Sequence, residues 1–181
     1  YEEPVEEKHL CLASQAWAAF RSPSPTDLLN LLDRDTSALP FLKEAIIRLL
    51  EEYPCTFNGL SRTGRQALTI INAGEKRPGR VFGDNQKLEE RIFMGDWSFW
   101  ALLNEFLRAD PPLLTLAAGD KLTLPVTPEQ ELAVTPAGRE VLSGKKNWLD
   151  CVAYDRWIGG VHLTPTNIWF WEPSSGSMVR Q

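Results

Sequence analysis

Between His9 and Phe20 the apolar residues Leu10, Ala13, Trp17 and Phe20 recur every three or four positions, which predicts a helix. Ser22-Pro23-Ser24-Pro25 ends it. Ser24 is the expected cap of the next helix, with Pro25 in its first position and Leu28, Leu29, Leu31 and Leu32 along its length. A third helix is expected over about residues 38–52, with Leu39, Leu42, Ile46, Leu49 and Leu50 as its stripe. Glu44 stands four residues before Arg48, the favourable order for a helical ion pair. The apolar faces of these helices are broad, so residues 8–55 read as a small bundle that must pack on something else. Residues 1–7 read as a flexible acidic lead-in.

From residue 56 to about 150 the pattern runs helix, helix, helix, hairpin, strand, helix, the order of a winged helix. Ser61 caps the helix Arg62–Ala73, which Gly74 ends. A shorter helix is expected over Arg77–Leu88. Gly95-Asp96 opens a third helix with Asp96 as its cap, and Asp110-Pro111-Pro112 stops it. Leu113–Leu116 and Lys121–Leu124 around a Gly-containing loop predict a hairpin, and Leu132–Val134 a further strand. Thr135-Pro136 starts a last helix that Gly144 stops. In the third helix of this set, Trp97, Trp100, Leu103 and Phe106 form one expected buried stripe.

Trp157–Leu163 and Ile168–Glu172 flank Thr164-Pro165-Thr166-Asn167 and predict a C-terminal aromatic hairpin, spanning residues 151–172 and packed on the winged-helix-like segment. Trp157, Trp169 and Trp171 are its expected structural anchors. Residues 173–181 read as a flexible tail. The fold class is therefore α+β: mainly helical, with a winged-helix-like module and a C-terminal aromatic β-hairpin.

Charge alters the functional reading. Nineteen basic residues face twenty-four acidic ones, a net −5, which disfavours non-specific nucleic-acid binding. The acidity is concentrated at the N-terminus: residues 1–55 hold five Lys or Arg against ten Asp or Glu. A helix that reads a major groove needs polar fingers and phosphate contacts, yet the third helix of the central segment carries two Trp, two Phe, three Leu and one basic residue. The candidate phosphate or partner contacts are instead Arg62 and Arg65, one turn apart, with Arg77 and Arg80 near the start of the following helix.

Chemistry-bearing patterns are sparse. Cys11, Cys55 and Cys151 are widely spaced, and with His9 and His162 they make no metal-ligand spacing. The cysteines read as reduced thiols of a cytoplasmic protein. Cys151, Asp155 and His162 are the one close trio resembling nucleophile, orienter and base, but sequence does not fix their geometry. Asp155 and Arg156 read more simply as a charge pair that locks the C-terminal hairpin, giving a structural or binding cluster of Asp155, Arg156, Trp157, His162, Trp169 and Trp171. No catalytic residue, cofactor or metal is expected. No apolar run is long enough to span a membrane.

Four phrases carry a family resemblance: Asn58-Gly59-Leu60-Ser61-Arg62-Thr63 with Arg65-Gln66; Phe93-Met94-Gly95-Asp96 with Ser98-Phe99-Trp100; Thr135–Leu142; and Asp155–Leu163. Together they resemble the C-terminal half of a bacterial family grouped only as a domain of unknown function, over most of residues 10–172. The resemblance implies an α/β region ahead of this segment and carries almost no biochemistry. Where that family often has Glu, this chain has Gly64, which loses a reciprocal capping bond and costs on the order of 1 kcal/mol of helix propensity.

The expected role is a non-catalytic protein-interaction or regulatory module. Its expected partner is protein, either another domain of the same protein or a second copy. A winged-helix DNA-binding regulator is the alternative, and the C-terminal part of an enzyme whose catalytic domain lies elsewhere is the second.

Overall fold

The computed structural model describes residues 4–180, and the chain divides into two units. Unit 1 combines residues 1–56 with 154–181, and unit 2 comprises residues 57–153. The protein is α+β and mainly helical, with small antiparallel strand pairs.

Unit 1 begins with α1 (Glu7–Phe20), α2 (Thr26–Leu32) and α3 (Leu42–Leu50). Glu7, expected in the lead-in, already belongs to α1; residues 1–3 lie outside the described ones. Ser24 does not cap α2. The helix starts one residue later than expected, and the Ser24 hydroxyl shares a 2.6 Å hydrogen bond with that of Thr26. Arg48 pairs with Glu52 at 2.7 Å, one turn after it, where the sequence predicts Glu44 as its partner. Leu28, Leu31, Ile46, Leu50 and Tyr53 form the helical core.

The C-terminal strands belong with these helices in unit 1, whereas the sequence reading assigned them to the central segment. They form two hairpins where one was expected. β3 (Arg156–Ile158) turns at Gly159-Gly160 into β4 (Val161–Leu163), so the run read as one strand folds back on itself. Gly159 has φ +57°, and a Cβ at Gly160 would run into the Arg21 carbonyl, so both positions favour glycine. β5 (Trp169–Glu172) pairs with β6 (Ser177–Arg180), in a stretch expected to be a flexible tail. The backbone of residues 54–56 brackets Trp171: Trp171 N donates to Pro54 O (2.8 Å) and Thr56 N to Trp171 O (3.0 Å).

Unit 2 runs α4 (Arg62–Asn72), α5 (Pro78–Lys87), α6 (Asp96–Arg108), β1 (Leu114–Leu116), β2 (Leu132–Val134) and α7 (Pro136–Leu142). Ser61 and Thr135 cap their helices as expected, accepting from Gly64 N (3.1 Å) and Gly138 N (3.0 Å). Asp96 is the first residue of α6 and Gly95 its cap; the Asp96 carboxylate accepts from Trp97 N at 2.8 Å. The expected hairpin is absent. β1 pairs with β2, Thr115 opposite Ala133, across a long loop in which residues 121–124 form no strand. That loop is pinned to α6, because Leu122 is buried and its N–H donates to Asn104 Oδ1 at 2.8 Å.

Gly64 is a packing requirement as well as a missing capping partner. A Cβ there would lie 2.9 Å from Phe106 Cζ, so the absent side chain is what lets the ring seat against α4. In α6, Trp100, Leu103 and Phe106 are buried as expected, but Trp97 is 71% exposed. Three-residue steps fall about 60° short of a full turn, so three of them carry Trp97 to the side of the helix opposite Phe106.

Candidate functional site

One surface feature is an apolar stripe on α1 that the fold leaves uncovered. Leu10 is 63% exposed and Trp17 59%, while the buried residue of α1 is Leu12. Successive helical residues are separated by about 100°, which places Leu12 well round the helix from the Leu10–Trp17 stripe. Along the edge of the stripe, α1 and α3 border an open groove of about 420 Å³. Its α1 wall is Ala13, Ala16, Trp17 and Phe20, and its α3 wall Leu42, Ala45, Ile46 and Leu49. Phe41, the residue before α3, is 59% exposed. Trp17 stacks on Phe20 with ring centroids 5.7 Å apart, and the Arg21 guanidinium lies 5.8 Å from the Trp17 centroid. An exposed apolar surface of this kind is the chemistry of a protein contact.

Of the four arginines proposed for nucleic acid, Arg62 is engaged within unit 2. Its guanidinium donates to Leu88 O (3.2 Å) and lies 3.7 Å from the Glu89 carboxylate. Arg65, on α4, and Arg77 and Arg80, at the start of α5, are exposed. Unit 2 holds twelve basic and twelve acidic residues, so these cations sit on a neutral body. Unit 1, with seven basic against twelve acidic, carries the whole net charge of −5.

The C-terminal cluster is only partly as expected. Asp155 Oδ1 shares a 2.6 Å hydrogen bond with His162 Nε2, which ties β4 to the residue before β3. Trp157 faces His162 across β3 and β4 and stacks on it, with centroids 4.4 Å apart and planes 4° off parallel. Trp157 is nonetheless 63% exposed, so it is no core anchor. Arg156 opens β3 opposite Leu163. Trp171 is buried, as expected of an anchor, and Trp169 is half-buried under the Arg180 guanidinium, 5.5 Å from its centroid.

Cys151 lies in unit 2, and Asp155 and His162, which share a hydrogen bond, lie in unit 1. Burial pushes the Cys151 thiol up from the usual value, which leaves little thiolate to act as a nucleophile. Among the described residues no group of three His, Cys, Asp or Glu could hold a metal ion, and no helix is long and apolar enough to cross a membrane. Comparison of the chain with protein-family models, with curated proteins and with solved structures finds no match.

Proposed function

We propose that this chain is a non-catalytic protein-interaction module whose contact surface is the α1–α3 groove. The carrying observation is the exposed Leu10–Trp17 stripe beside an open groove walled by apolar side chains. Burying such side chains is worth about 25 cal/mol for each Å² removed from water, so leaving them uncovered is a standing cost that a protein partner relieves. A small polar ligand is disfavoured, since specific small-molecule sites combine apolar walls with a few placed polar groups. The neutral charge of unit 2 and the engaged Arg62 rank nucleic acid below protein as the partner.

The test is site-specific photo-crosslinking in cells. A benzophenone side chain replaces Ala45 in the groove or, as a control, exposed Asn30 on α2. The expected result is a discrete protein adduct from position 45 that disappears when Trp17→Glu is added. Adducts equal at both positions, or none at 45, overturn the proposal.

A further inference from the structure

We propose that the occupant of the α1–α3 groove is a second copy of this chain, docked through antiparallel α1 helices about a two-fold axis. The inference rests on the reading of the groove as a protein contact and names its partner.

The carrying observation is the order of residues along the exposed face of α1. Glu6, the N-cap, and then Leu10, Ala13 and Trp17 follow one another at four, three and four residues, and Arg21, the C-cap, continues the row one turn later. This is the spacing of a seam between packed helices. All five are exposed. The row is self-complementary on reversal. Turned end for end about the point between Ala13 and Ser14, it sets Leu10 against the partner's Trp17, Trp17 against the partner's Leu10, and Glu6 against the partner's Arg21 at both ends. A parallel pairing would set Glu6 against Glu6 and Arg21 against Arg21. The small residues Ala13 and Ser14 fall at the crossing, where close helix approach needs them, at about 8–10 Å between axes. The partner helix then lies along the groove, where Leu42, Ala45 and Leu49 of α3 supply the second wall. A two-fold contact of this kind uses the same patch on both copies and closes at two.

Both end charges are exposed, and Glu6 also takes part in the capping box of α1 with His9. Glu6 bridges Lys8 at 2.9 Å on an exposed surface, and Arg21 reaches back over Trp17 along the same row. Exposed bridges of that kind contribute little by themselves. The net −5 of unit 1 opposes self-association, but at physiological salt it is screened beyond about 8 Å, whereas the paired charges at the seam lie in direct contact.

The test is sedimentation velocity on the full 181-residue chain across a concentration series, with circular dichroism checking that each variant folds. Wild type is expected as a concentration-dependent dimer. Trp17→Glu is expected to raise the dimer Kd by about a hundredfold. Glu6→Arg and Arg21→Glu, each alone, turn both end contacts repulsive and are expected to raise Kd by about tenfold. Mixing these two variants is the decisive arm: the mixed dimer regains both attractions, so association is expected to return toward the wild-type value. A merely structural effect of either substitution would survive mixing. A wild-type chain that stays monomeric to about 100 μM, where a specific contact should be populated, overturns the inference. So does a dimer indifferent to all three substitutions, or single variants that mixing fails to rescue. If the chain is monomeric but Ala45 still crosslinks a different protein, the interaction reading stands and only the second copy is wrong.

Discussion

The opposite fates of Trp97 and Phe106 on one helix give the sharpest stability prediction. Phe106 is fully buried, meets Trp148 edge to face at 4.9 Å and 85°, and lies against Gly64. Phe106→Ala removes a fully buried ring, at a cost of about 3–5 kcal/mol. About 0.5–1.5 kcal/mol of the loss belongs to the ring pair. For a unit of this size each kcal/mol moves Tm by roughly 4–8 °C, so a fall on the order of 15–30 °C is expected. Trp97 is 71% exposed. The remaining buried part is about 60 Å² of a side chain that can bury roughly 150–250 Å², worth about 1.5 kcal/mol at most. Alanine's better helix propensity returns about 0.5 kcal/mol of that. Trp97→Ala should therefore lower Tm by less than about 8 °C. Differential scanning calorimetry of both variants, with Phe106→Leu as a conservative control, is the assay. Equal shifts for the two alanine variants, or a larger one for Trp97, would refute the placement of the α6 faces.

Three further outcomes are expected. Trp171→Ala should destabilise unit 1 by about 3–5 kcal/mol, whereas Trp157→Ala, losing chiefly its stack on His162, should cost about 1 kcal/mol; denaturant titration compares them. Only exposed Cys11 should react promptly with Ellman's reagent in the folded protein, buried Cys55 and Cys151 following on unfolding; prompt reaction of more than one thiol would contradict the burial. The Thr56 hydroxyl, 2.6 Å away, holds the Glu172 carboxyl below the usual range, helped by Ser174. A carboxyl lowered on folding adds stability above its unfolded pKa and loses it as pH falls through the folded one. Glu172→Gln should thus flatten the acid side of the stability–pH curve, and a variant as acid-sensitive as wild type would dismiss the contribution.

Local signals were legible in the sequence. Ser61 and Thr135 cap helices because a side-chain oxygen needs only its own chain's N–H three residues on, and Trp100, Leu103 and Phe106 share a face because helical geometry is local. What depends on a distant partner was not legible. Leu122 reads as a strand residue, but Asn104 draws its N–H to α6, and β1 takes the more distant β2 instead. The tail after Glu172 reads as unstructured, but β5 offers it an edge. The α1 stripe shows both halves of the lesson. Its period determines that Leu10, Ala13 and Trp17 lie together, since side-chain direction follows from the backbone. Which face of α1 is covered is decided by packing within the fold, and that choice buries Leu12 and leaves the stripe to the surface.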